Sequence, residues 1–177
     1  MGTDRPAPDR EAFDTLVADD DPGVRELLAD FLGERGLKVA TTADGRAAVN
    51  ALERSGGQCR LVFADIAMPG ADGFAVLTAA RAANPSAYVV MITGYGSLET
   101  AISAVRLGAQ DYLTKPFSLG QVEVVLQQAA ARFSLEVERR RKADQSLVSA
   151  LTSIDDRLAS LEHQIANLAA RLVDRSS

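Results

Sequence analysis

Short apolar runs punctuate the front part of the chain at residues 15–18, 37–41, 60–64, 87–93 and 111–113. The first four are rich in Val, Ile, Leu or Thr and bounded by Gly, Pro, Asp or Asn, as buried strands are. The stretches between them carry helical spacing. Asp21-Pro22 offers an N-cap followed by a proline at the first helical position, and Val24, Leu27, Leu28, Phe31 and Leu32 continue the period until Gly36. Phe74, Leu77 and Ala80 mark another helix, stopped near Asn84-Pro85, and Ala101, Val105 and Leu107 mark a further one, stopped at Gly108. Ser118 followed by Gln121 is a capping box that opens the last. Five strands alternating with five helices predict an α/β fold with a doubly wound, five-stranded parallel sheet.

Beyond Phe133 the period changes. Leu147, Leu151, Ile154, Leu158, Leu161, Ile165, Leu168 and Leu172 are spaced alternately four and three apart, and neither Pro nor Gly occurs from 121 to 177. That is a coiled-coil seam of about four heptads on one long C-terminal helix. With Leu151 at a, Ile154 is at d, Arg157 at g and Glu162 at the next e. The g-to-e′ pair attracts in a parallel, in-register dimer. The pattern divides the chain into a polar, proline-containing lead-in at 1–12, a globular domain at 13–133 and a coiled-coil tail at 134–177.

Charge sharpens this division. The formal net charge of −5 lies wholly in residues 1–133, which hold 12 basic and 17 acidic side chains; residues 134–177 hold 7 of each. The balance argues against DNA as a general partner. Arg139-Arg140-Arg141-Lys142 has acidic neighbours in Glu136, Glu138 and Asp144 and reads as a solvated helix face. A single cysteine, Cys59, excludes an intramolecular disulfide and sits where a small buried side chain belongs. No signal peptide and no stretch of 18 apolar residues is present, so the cytoplasm is the expected location.

The chemistry collects at the strand ends, where ligands of doubly wound sheets bind. The first strand ends in Asp19-Asp20-Asp21, the third in Asp65 and the fourth in Thr93-Gly94; the fifth leads to Lys115-Pro116. Clustered carboxylates need a cation or a proton to coexist. Mg²⁺ suits such an all-oxygen site and leaves room for a phosphate oxygen. A metal-neutralised carboxylate can attack a phosphoryl donor, with the Lys115 ammonium and Thr93 hydroxyl stabilising the moving group. Asp21 reads as a helix cap, and Asp72-Gly73 as a turn and helix start. No Walker-type lysine motif occurs.

LVADDDP at 16–22, LVFADIAMPGADGF at 61–74, MITGYG at 91–96 and DYLTKPF at 111–117 together resemble the receiver domains of two-component response regulators. The MITGYG and KPF segments resemble the sigma-54 activator subgroup in particular. The resemblance implies a flavodoxin-like receiver whose phosphoacceptor is Asp65. Asp20, Asp65 and the carbonyl of Ala67 would hold Mg²⁺, with Asp19 acting indirectly. Thr93 and Lys115 would be the switch hydroxyl and phosphate-binding lysine, Tyr112 the switch aromatic, and the peptide before Pro116 cis. The partners implied are a cognate histidine kinase, an unidentified output protein and, through the tail, a parallel homodimer. The protein would be a phosphoacceptor and no further enzyme. Small Ala67 and large Tyr95 flank the water path, which predicts an acyl phosphate of no extreme lifetime.

Two other readings compete. The chain could be the receiver of a DNA-binding transcriptional activator, although residues 134–177 contain no helix-turn-helix turn. Alternatively the tail could act as a phosphatase or phosphotransfer helix, for which Glu162, His163, Gln164 and Asn167 are the available groups.

Overall fold

The protein is described by a computed structural model covering residues 13–94 and 96–174, with side chains to residue 162. The lead-in, Tyr95 and the side chains of His163, Gln164, Ile165, Asn167, Leu168 and Leu172 lie outside the described residues.

Strands and helices alternate: β1 (Thr15–Ala18), α1 (Pro22–Gly33), β2 (Val39–Thr42), α2 (Gly45–Arg54), β3 (Leu61–Asp65), α3 (Gly73–Ala83), β4 (Tyr88–Thr93), α4 (Leu98–Arg106), β5 (Asp111–Thr114) and α5 (Leu119–Asp174). The strands form one parallel sheet in the order β2-β1-β3-β4-β5. The order reverses between β1 and β3, which places that switch point beside the acidic residues ending both strands. β1, β3 and β4 are buried along their whole length, as parallel strands covered on both faces must be.

Helix starts follow their caps. Asp21 accepts from the Gly23 N–H at 2.8 Å, Asp44 from Ala47 at 2.7 Å and Asp72 from Ala75 at 2.9 Å. At α5, the Ser118 N–H donates to Gln121 Oε1 at 2.8 Å, and the Gln121 N–H to Ser118 Oγ at 3.3 Å. α4 departs from its expected orientation. Leu98, Val105 and Leu107 are 75%, 71% and 49% exposed, and of the helix only Ala104 is buried. The larger apolar side chains of this segment are left facing outward.

The described residues form two compact units that part between Ala129 and Ala130. In the first, Val122, Val125 and Ala129 of α5 are buried. In the second, Leu147, Leu151, Ile154, Leu158 and Leu161 stand 53–62% exposed along one stripe. No helix among the described residues is long and apolar enough to cross a membrane.

Candidate functional site

Four strand ends build the site. Asp65 is the last residue of β3 and faces Ile92 of β4, so Thr93 lies one step further along the same edge. The Lys115 N–H donates to the Thr93 carbonyl at 2.7 Å, which carries the chain leaving β5 back to the end of β4. The Lys115–Pro116 peptide is cis. The loop after β1 is held by Asp19 itself, whose Oδ1 accepts from the Asp21 N–H at 2.9 Å. Arg25, one turn into α1, donates to the Asp19 carbonyl at 2.7 Å.

Asp19, Asp65 and Thr93 are buried, whereas Asp20 is exposed. One carboxylate oxygen from each of Asp19, Asp20 and Asp65 lies within 4.8 Å of the other two. The Lys115 ammonium donates to Asp19 Oδ1 at 2.9 Å, stands 2.8 Å from Asp19 Oδ2 and is 3.4 Å from Asp65 Oδ2. The contact with Asp19 Oδ2 is an ion pair without hydrogen-bond geometry. Asp65 Oδ1 is buried and has no hydrogen-bond partner among the described residues.

These contacts set the electrostatics. Burial pushes the Asp65 carboxyl above its ordinary range; Lys115 pulls it back, and the charges of Asp19 and Asp20 raise it again. Burial pulls the Lys115 ammonium down, but Asp19 and then Asp65 outweigh it, and its pKa ends above the usual lysine value. One ammonium therefore touches two of the three clustered carboxylates. A buried carboxylate oxygen left without a donor is costly. It is also the atom free to meet a hard cation or an electrophilic phosphorus. The cluster fits a divalent cation of the Mg²⁺ type, which takes oxygen ligands and few of them from protein.

Ala67 lies two residues beyond Asp65 in the β3–α3 loop. Tyr112 is half-buried on β5, and its hydroxyl lies 3.0 Å from Thr100 Oγ1. Thr100 in turn belongs to the box capping α4: its Oγ1 accepts from the Ser97 N–H, and its own N–H donates to Ser97 Oγ, both at 3.1 Å. Neither Thr100 nor Arg25 was legible as a site neighbour from sequence. Arg25 could have been sought as the cation one helical turn after the Asp21 cap. Thr100 carried no comparable signal, because its partner is a strand away. Seam residues Leu147, Leu151, Ile154, Leu158 and Leu161 belong to the second unit and take no part in this site.

Comparison with known proteins agrees with this geometry. The chain is 35% identical over 133 residues to the nitrogen assimilation regulatory protein NtrX of Azorhizobium caulinodans, covering 73% of this chain and 28% of that protein. It is 42% identical over 107 residues to the transcriptional regulatory protein TcrA of Mycobacterium tuberculosis, covering 60% of this chain and 42% of the relative. The chain thus spans less than half the length of either. A response regulator from Burkholderia pseudomallei, solved with a phosphorylated aspartic acid, calcium ion and citrate, matches with a TM-score of 0.59 at 27% identity, over 71% of this chain and 72% of that one. The family model of the response regulator receiver domain matches residues 15–127, a span that begins at β1 and takes in every strand end described above. Carboxylates at the sheet's switch point, a lysine bridging two of them and a family match over that same sheet agree on one conclusion: this chain belongs to the response regulator receiver family.

Proposed function

We propose that the unit at 13–133 is a phosphoryl-accepting switch, with Asp65 as acceptor, and that its output travels through protein contacts. The observation that carries this reading is the buried, partnerless Oδ1 of Asp65 beside the Lys115 ammonium. Asp65 attacks the phosphorus of a phosphohistidine on a partner kinase. The P–N bond breaks, and the imidazole keeps its electron pair and takes up a proton. Asp20, Asp65 and the carbonyl of Ala67 would hold Mg²⁺, with Asp19 acting indirectly. When bound there, such an ion would supply positive charge to the phosphoryl group. Lys115 is already partly desolvated and held beside Asp65, so it exchanges part of its Asp65 contact for a phosphoryl oxygen with little reorganisation. The Thr93 hydroxyl donates to another phosphoryl oxygen, and Tyr112 follows Thr93 inward.

The similar Burkholderia pseudomallei regulator carries a phosphorylated aspartic acid and a cation, which supports the same chemistry here. The exposed stripe of Leu147, Leu151, Ile154, Leu158 and Leu161 supports a second assignment, a parallel homodimer through the tail. The names of the relatives favour a different reading, in which this receiver serves a regulator of transcription.

The test is labelling by acetyl phosphate. Wild type should label only with Mg²⁺, and Asp65→Asn should not label. Asp20→Asn should weaken metal affinity while the fold is kept. Equal labelling of Asp65→Asn would overturn the assignment.

A further inference from the structure

The heptad that begins at Leu147 continues backward without a stutter. Counting from Leu147 at d, Asp144 falls at a, Arg140 at d and Val137 at a. Val137 is 60% exposed and Leu147 62%, and both Arg140 and Asp144 are exposed between them. Val137, Arg140, Asp144 and Val148 line one shallow groove on this face of α5. Neither Arg140 nor Asp144 takes a hydrogen bond or ion pair from another described residue, although they stand four apart on one helix. An apolar stripe is thus interrupted by one cation and one anion at successive seam positions.

We propose that this face is covered by a second copy of the chain, in which Arg140 of each helix pairs with Asp144 of the other. The inference rests on the coiled-coil reading above and adds orientation and register to it. In a parallel coil a d side chain packs beside the next a residue of the facing helix, so Arg140 meets the partner's Asp144 twice per dimer, once in each direction. The flanking positions agree. Glu136 at g faces Arg141 at e of the other copy, as Arg157 faces Glu162 further along. The basic run at 139–142 thereby separates into roles: Arg140 in the seam, Arg141 beside it, Arg139 and Lys142 outward. An antiparallel pairing centred on the stretch from Leu147 to Leu172 would hold the two Arg140–Asp144 layers roughly 50 Å apart, at 1.5 Å per residue. The leucines alone accept either orientation. The polar layer favours one, because each charge finds its opposite on the facing helix only in the parallel, in-register dimer.

The experiment mixes two full-length variants, Arg140→Asp and Asp144→Arg. Each homodimer then carries four like charges in the layer, whereas the mixed dimer carries two complementary pairs. Native mass spectrometry after subunit exchange should show the heterodimer outnumbering each homodimer by roughly tenfold, against the twofold of random exchange. As a direct reading of register, Leu151→Cys should form an interchain disulfide on oxidation. Dimers that exchange at random, or that fail to cross-link at 151, would overturn the polar layer and leave the coiled coil standing. Wild-type chains that stay monomeric would overturn the coiled coil itself, and the layer with it.

Discussion

If the stripe on α5 is a seam, two charges placed in it should undo assembly and spare the chemistry. Ile154 and Leu161 are each 53% exposed, so about half of each side chain remains to be covered. Complete burial of such a side chain is worth roughly 1.5–3 kcal/mol, so covering the remaining half contributes ~1 kcal/mol per side chain and ~4 kcal/mol for the four in a dimer. That alone corresponds to roughly a thousandfold in dissociation constant. Ile154→Asp with Leu161→Asp forfeits this burial and sets four carboxylates against each other, so a thousandfold is the lower bound. Static light scattering over a micromolar concentration range should find wild type dimeric with or without acetyl phosphate. The double variant should be monomeric and still label at Asp65, whose partners all lie in the other unit. A wild type that is monomeric until phosphorylated would refute the reasoning and point to a tail released by the switch.

Three further expectations test the site and its supports. Because the folded state raises the Asp65 pKa, its contribution to stability is full below the ordinary carboxylate range and is lost as pH rises through the raised value. Asp65→Asn should therefore raise the melting temperature of metal-free protein at neutral pH, by roughly 4 °C per kcal/mol relieved, with the gain vanishing in acid; an unchanged or lower melting point at pH 7 would contradict it. Gly73→Ala places a methyl against the Asp65 carbonyl oxygen and 2.9 Å from Ile66 Cα. It should cost about 2 kcal/mol in urea unfolding and slow labelling at Asp65, since the methyl moves the backbone that aims it. Thr100→Val removes the partner of the Tyr112 hydroxyl and half of the α4 capping box, and should cost about 1 kcal/mol where Thr100→Ser costs little.

The sheet was legible because its central strands are continuous apolar runs between turn residues, and the rim was legible because chemistry at strand ends needs no tertiary information. β2 was harder. It is an edge strand, half-buried or exposed along its length, and it starts at Val39, two residues later than its apolar run suggests. α2 carries few large apolar residues to announce it: its buried face is Gly45, Ala48 and Ala51, which are small, with Leu52. Asp44, the cap, was the available signal. Gly45 follows it because a Cβ there would strike the Ala71 carbonyl, a packing demand that sequence does not display. α4 shows the converse difficulty. Val105 and Leu107 mark a helix correctly yet face outward, since period reveals that a stripe exists and not what covers it. Cys59 was read correctly as a small buried side chain. It is 2% exposed, and burial pushes its thiol up to about 12.

The root of α5 is fastened in two unlike ways. Val122, Val125 and Ala129 are buried. Beside them, Arg35 lies 3.5 Å over the Phe31 ring and holds Glu123 at 2.8 Å, with both side chains more than a third exposed. Dissolved ions act on these fastenings differently. Sodium chloride screens the exposed pair, as the Debye length shrinks from about 10 Å at 0.1 M to about 3 Å at 1 M. Sulfate screens it too, but also tightens apolar burial through exclusion from the protein surface. The identity of the anion, and not ionic strength alone, therefore sets how firmly the first turns of this helix are held.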